Sequence, residues 1–253
     1  MRVFITGASS GIGESLARHY ADPDSAIGLA ARRQDQLESL AHCLLGRTAT
    51  YALDVTDTTA LQNAAADFIG RFGVPDIVIA NAGISIGTAG DEIADTAKLQ
   101  RVLDINVVGM AASLSAFAPQ MRKARHGTLV GISSVAGFRG LPGSGAYSAS
   151  KAAATAWLES LRVELAGSGV SVVTICPGFI DTPMTKVNKY PMPFLISSDE
   201  AARRFARAIA SKRRLAVIPW QMAIVGALLR ALPAWLFDRL MARAPRKTRN
   251  LPL

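Results

Sequence analysis

Thr6-Gly7-Ala8-Ser9-Ser10-Gly11-Ile12-Gly13 follows directly on the apolar run Val3-Phe4-Ile5, and an amphipathic stretch begins inside it. Glycines placed here let the backbone turn tightly, approach a pyrophosphate, and bring a helix close against the strand. The helix then offers free N–H groups and the positive end of its dipole to phosphates. Gly-rich strand-to-helix turns also arise for purely steric reasons. Position at the first strand of a strand–helix series is what points this one toward a dinucleotide.

That series runs the length of the chain. Apolar runs predict strands over 2–5, 26–31, 48–53, 76–80, 128–133, 170–175 and 215–218. Amphipathic stretches between them predict helices near 12–21, 34–44, 57–72, 92–124, 147–167 and 198–211, the last opened by a capping box, Ser197-Ser198-Asp199-Glu200. Val- and Ile-rich runs without strict alternation belong to strands buried on both faces, hence a parallel sheet. The expected class is α/β: one doubly wound, Rossmann-like domain with a seven-stranded parallel sheet and helices on both faces. It is expected over 1–219, the cofactor site in 1–106 and the catalytic and substrate part in 107–219, with an apolar and basic helical extension over 220–253.

Half of the 253 residues are apolar and 19% are charged, which excludes a disordered chain. Cys43 and Cys176 read as two small core residues, and His19, His42 and His126 share no ligand spacing, so no metal is expected. No basic leader with an apolar core precedes Val3, which makes the cytoplasm the default. The net charge of +9 is unevenly placed: residues 1–199 carry a net of −1 and residues 200–253 a net of +10. Nucleic acid is not expected as a partner, because no recognition motif accompanies that charge.

The spacing G-x-x-x-G-x-G behind Thr6 resembles the short-chain dehydrogenase/reductase family, and Asn81-Ala82-Gly83 is similar to that family's N-A-G segment. The more specific stretch is Tyr147-Ser148-Ala149-Ser150-Lys151, in which residues four apart share a helix face. A phenol near its ordinary pKa of about 10 is a poor acid at neutral pH. A neighbouring ammonium lowers that value. Ser134 stands thirteen residues earlier at the end of a strand run, and that spacing favours it over Ser133. The resemblance implies that Ser134 binds the substrate oxygen, Tyr147 moves the proton, Lys151 also holds the nicotinamide ribose, and Asn106 holds a water that relays protons.

The resemblance further implies cofactor contacts from Gly7, Ser9, Ser10, Gly11, Ile12 and Gly13. It adds the adenine pair Asp54-Val55, Asn81, Ala82 and Gly83, and the segment Pro177-Gly178 with Ile180 and Thr182 at the carboxamide. An NAD site wants an acidic residue at the end of the second strand. Here Ala30-Ala31-Arg32-Arg33 supplies none, and the two guanidinium groups suit a 2′-phosphate, so NADP(H) is the expected cofactor. Family members are usually oligomeric. A homodimer or homotetramer is expected, with helices near 98–124 and 147–167 as candidate contacts.

Beyond Ile218 the chain departs from the common acyl-carrier-protein and hydroxysteroid members, which close with a D-G-G turn. Two apolar helices hinged at Pro233 and a basic ending are expected. Arg230 and Pro233 interrupt the run, so it is not expected to span a bilayer. Three roles compete: packing on the domain or a partner subunit, walling a lipid-like substrate, or peripheral contact with a membrane's inner face through 220–249, with Trp235 and Phe237 inserted. The segment 184–196 is expected to be a mobile loop over a hydrophobic substrate, lined by Phe179, Met184, Phe194 and Leu195. The expected activity is interconversion of a ketone or aldehyde and an alcohol; the alternatives are a non-catalytic NADP(H) sensor and a membrane-associated interaction protein.

Overall fold

The computed structural model describes residues 1–188 and 190–249. β1 (Arg2–Thr6) enters the sheet between β2 (Ala26–Ala31) and β4 (Ile77–Ala80), all parallel. With β3 (Arg47–Ala52), β5 (Thr128–Ile132), β6 (Ser171–Pro177) and β9 (Leu215–Ile218), the seven strands run in the order β3-β2-β1-β4-β5-β6-β9. This is the doubly wound Rossmann-like arrangement. The order reverses direction between β1 and β4, where such sheets bind ligands at the carboxyl ends of their strands.

Alternation along β1 feeds two cores. Val3 and Ile5 join α1 (Gly11–Tyr20), α2 (Gln34–His42) and α9 (Ser198–Ala210) on one face. Phe4 joins α3 (Thr58–Phe72) and α7 (Gly145–Glu164) on the other. Fully buried Phe4 packs its ring 4.6 Å from Phe117 and 5.5 Å from Phe68. Burial of that size contributes about 3 kcal/mol. Gly28 leaves room for these rings, since a Cβ there would sit 2.8 Å from Phe68.

The stretch expected as one helix over 92–124 is broken. It divides into α4 (Thr96–Leu103), a π-helical turn over Asp104–Gly109, α5 (Met110–Ser115) and α6 (Ala118–Ala124). Pro119 begins the last piece because it lacks an amide for a continuous ladder. By length and composition the helical stretch Ile93–Ala124 could cross a membrane, but Met110, Leu114, Phe117 and Met121 are buried in the core. At the start of α9 only half of the capping box forms. Ser197 accepts from the Glu200 amide, while the Glu200 carboxylate turns to Arg203 and Arg204. Cys176 is in the core, but Cys43 is exposed just beyond α2, contrary to its expected burial.

Candidate functional site

The strand-to-helix turn after β1 has the backbone that its glycines permit. Gly7 and Gly11 take φ values of 68° and 57°, and a Cβ on Gly13 would collide with the Gly7 carbonyl oxygen. The Asn81 amide donates to the Thr6 and Gly7 carbonyls at 3.1 Å each, tying β4 to the turn across the point where strand order reverses. Ser10 precedes α1 without a side-chain cap bond, which leaves the helix's first amides free of that partner.

A cleft of about 260 Å³ opens here at the carboxyl ends of the strands. Of the site residues picked from the sequence, Gly7, Ser9, Ser10, Gly11, Ile12, Arg32, Arg33, Asp54, Val55, Asn81, Ala82, Gly83, Ser134, Tyr147, Lys151, Pro177, Gly178, Ile180 and Thr182 all line it. Gly13 and Asn106 are not among the lining residues. Gly13 lies beneath the turn. Asn106 is fully buried in the π turn, donating to the Ile84 carbonyl at 2.9 Å and the Ser150 hydroxyl at 3.0 Å while accepting from the Ile84 amide at 2.8 Å. Both amide hydrogens are therefore engaged. The side chain clamps the loop after β4, and what it has left for a further partner is the second lone pair of Oδ1.

Arg33 reaches over the glycine turn, its guanidinium donating to the Ser9 and Ser10 hydroxyls at 2.9 and 3.0 Å. Arg32 and Arg33 are exposed at the cleft edge, and among the described residues neither pairs with a carboxylate. Asp54 is held differently. Burial alone would raise its pKa, but hydrogen bonds from Thr56 and Arg101 outweigh that and hold the carboxyl below its usual range.

At the other end, β5 and α7 bring Ser134, Tyr147 and Lys151 together. The two adjacent serines separate by their partners. The Ser133 hydroxyl donates to the Lys151 carbonyl and meets Thr155, which ties it into α7. Ser134 caps the turn that follows and keeps its hydroxyl in the cleft. Lys151 Nζ, almost fully buried, donates to the Ile132 carbonyl at 2.8 Å and lies 5.7 Å from the centre of the Tyr147 ring. Sequence alone missed that carbonyl, which no side-chain pattern marks.

Burial dominates the electrostatics of both groups. It pushes the Tyr147 phenol above its ordinary value, with the Ser134 hydroxyl pulling back, and it lowers the Lys151 amine to about 8. The phenol that Lys151 was expected to lower therefore stands above its ordinary value in the protein alone, where the Ser134 hydroxyl is what pulls it down. The donor set nevertheless fits a dinucleotide: uncapped helix amides, a glycine-opened turn bearing the Ser9 and Ser10 hydroxyls, and two guanidinium groups with no carboxylate partner among the described residues line one cleft.

The chain beyond β9 frames the catalytic end. α10 (Gln221–Ala231) seats Met222 against Gly178, where a Cβ would lie 2.5 Å from Met222 Cγ. Arg139 donates to the Leu229 and Leu232 carbonyls at the end of α10, and its guanidinium lies 4.3 Å from the centre of the Phe237 ring. Phe237, on α11 (Ala234–Met241), is therefore buried and unavailable for membrane insertion, unlike the expectation for it.

Residues 244–249 then run back to the loops before α4 and α7, packing on the domain itself. Lys247 donates to the Ser85 hydroxyl at 2.7 Å, and Arg249 pairs with buried Asp95 at 2.9 Å. Across the cleft, α8 (Pro183–Lys186) and the two-residue pairing of β7 (Ile180–Asp181) with β8 (Ile196–Ser197) anchor both ends of the expected loop. Thr182 lies against Gly11.

A family model described as short chain dehydrogenase matches residues 1–191. An uncharacterized oxidoreductase from Myxococcus xanthus is 40% identical over 237 residues, covering 92% of this chain and 93% of its own. Dehydrogenase/reductase SDR family member 7B from Bos taurus is 33% identical over 269 residues, covering 98% of this chain and 82% of its own. A solved 3-oxoacyl-[acyl-carrier protein] reductase with bound NAD from Brucella melitensis superposes with a TM-score of 0.74 at 30% identity, over 86% of this chain and 88% of that one. The match to the Bos taurus relative takes in almost the whole chain, the segment beyond β9 included. The chain belongs to the short-chain dehydrogenase/reductase family of oxidoreductases.

Proposed function

We propose that the chain is an NADP(H)-dependent oxidoreductase that interconverts a ketone or aldehyde with an alcohol, with Tyr147 as general acid and base. The observation that carries this reading is one cleft into which Ser134, Tyr147 and Lys151 open at one end and the glycine turn with Arg32 and Arg33 at the other. When bound, the nicotinamide supplies or accepts the hydride. The amides at the start of α1 would take the pyrophosphate, and Arg32 and Arg33 the 2′-phosphate. Ile180 backbone and the Thr182 hydroxyl would hold the carboxamide. Ser134 would donate to the substrate oxygen, and Tyr147 would give or take the proton there. Positive charge on Lys151 and near the ring favours phenolate, which counters the raising effect of burial.

Met184, exposed and lining the cleft, favours a hydrophobic substrate, as do exposed Phe194 and Leu195 in the segment just before β8. The relatives' names as oxidoreductases support the reaction class. The test is NADPH oxidation against a panel of aliphatic and aromatic carbonyls. Turnover is expected, with Tyr147→Phe lowering kcat by about 10²–10⁴-fold while NADPH binding persists. Near-normal turnover in that variant would remove Tyr147 from the mechanism. NADPH binding without turnover on any carbonyl would favour a sensor instead. A kcat/KM for NADH at or above that for NADPH would overturn the cofactor assignment.

A further inference from the structure

Trp220, Ile224 and Leu228 stand four residues apart, one row along α10, and are 64%, 52% and 63% exposed. Met222 and Gly226 face the other way, against Gly178 and Phe138. On α11, Trp235 is 67% exposed, about 200° around the helix from buried Phe237. This row does not end in neutral surface. Trp220 also borders a second cavity, of about 480 Å³, lined by Arg204, Arg207 and Arg213 from α9 and the turn that follows it. Glu200 lines it too, but its carboxylate is engaged by Arg203 and Arg204. Among the described residues, Arg207 and Arg213 are paired with no carboxylate.

We infer that this face, the Trp220–Ile224–Leu228 row with the Arg207–Arg213 cavity at its head, docks on an anionic lipid bilayer. Charge decides among occupants. Residues 200–242, which carry this face, hold eight Lys and Arg against two acidic residues, Glu200 and Asp238. A second copy meeting this face symmetrically would set guanidinium against guanidinium with little to answer them. A nucleic acid would satisfy the arginines and leave Ile224 and Leu228 in contact with phosphates. An acidic membrane surface answers both halves, since headgroup phosphates meet the cavity while tryptophan and aliphatic side chains enter the interfacial layer. The tail takes no part, because Lys247 and Arg249 are held on the domain. None of these residues lines the cofactor cleft, so the inference stands apart from the proposed chemistry.

The test is flotation of the full chain with vesicles of phosphatidylcholine alone or mixed with phosphatidylglycerol. The protein is expected to float with the mixed vesicles and to be released by salt. Arg207→Gln with Arg213→Gln should weaken partitioning roughly 30-fold, at about a fivefold loss per basic residue. Trp220→Ser with Leu228→Ser should abolish it. Both variants should keep the parent's melting temperature and NADPH affinity, which shows that they fold. Equal binding to neutral vesicles, binding unchanged in the arginine variant, or no binding to either vesicle would overturn the inference. So would concentration-dependent dimerisation that the Trp220 and Leu228 changes abolish without any vesicle binding.

Discussion

Glycines do the same steric work on two sides of the cleft and leave opposite results. Behind β1, Gly7, Gly11 and Gly13 keep Cβ atoms out of the tightest points of the turn, and the space above it stays open as part of the cleft. Beside the catalytic end, Gly87 and Gly143 do the same for their loops, but the chain's own tail fills the room. A Cβ on Gly87 would lie 2.5 Å from the Lys247 carbonyl oxygen, and one on Gly143 would lie 2.7 Å from Arg246 Cβ. The first place exposes backbone donors to whatever enters; the second uses a close backbone approach to fasten residues about 100 to 160 positions apart in sequence. An absent side chain therefore marks a close approach and leaves open what approaches.

The comparison breaks most severely at Gly13. Gly13→Ala places a methyl against a backbone carbonyl that cannot swing aside, and Asn81 is wedged against the same point. We expect a stability loss of about 3 kcal/mol and loss of measurable NADPH binding, read by thermal melting and fluorescence titration. Gly87→Ala meets a contact nearly as short, 2.5 Å, but its neighbour is a tail that can lift. There the loss should be about 1 kcal/mol or less, with faster proteolytic removal of residues after Met241 and unchanged NADPH affinity. A Gly87→Ala variant as damaged as Gly13→Ala would show that the tail is no looser than the turn.

The open side can be sharpened through charge. Arg32→Ala with Arg33→Ala removes the guanidinium groups at the cleft edge. Charge-assisted hydrogen bonds contribute about 1.5–3 kcal/mol each, so KM for NADPH should rise by at least ten- to a hundredfold. NADH kinetics should barely move. Equal losses for both cofactors would mean that Arg33 serves by bracing Ser9 and Ser10 and not by reading a phosphate.

The two sides also differed in how far the sequence could be read. The glycine turn is local: strand, three glycines and the start of the helix fall within twelve residues, and the Tyr147–Lys151 pair lies on one helix. Periodicity and spacing carry such features, and the strands fell within a residue or two of their expected bounds. The π turn at Asn106 depends on the Ile84 backbone twenty-two residues earlier, which no local pattern encodes. The seat of the tail depends on Arg249 finding Asp95, 154 residues away, and on two isolated glycines that look like any loop glycine. The basic ending left three roles in competition for the same reason: its partners are written elsewhere in the chain. Phe237 looked free for insertion because Arg139, which covers it, lies nearly a hundred residues upstream.

Lys247 offers the finest test of the tail's seat. Burial lowers its amine to about 8, and its one described hydrogen bond goes to the neutral Ser85 hydroxyl. The folded pKa lies below the ordinary value of about 10.4, so the unfolded chain binds more protons between the two and stability rises with pH across that window. Lys151, also lowered to about 8, contributes in the same direction. Above about pH 10 the phenols of buried Tyr20 and of half-buried Tyr51 beside Asp67, both raised, reverse the trend, because the folded state then holds protons that the unfolded chain has released. Lys247→Met removes one of the two lysine contributions. The rise in melting temperature between pH 8 and 10 should therefore shrink in the variant, by a few degrees at most, since a tail that can lift relieves part of the penalty in the parent. An identical rise in parent and variant would mean that the Lys247 ammonium is solvated, and that the tail does not hold its seat in solution.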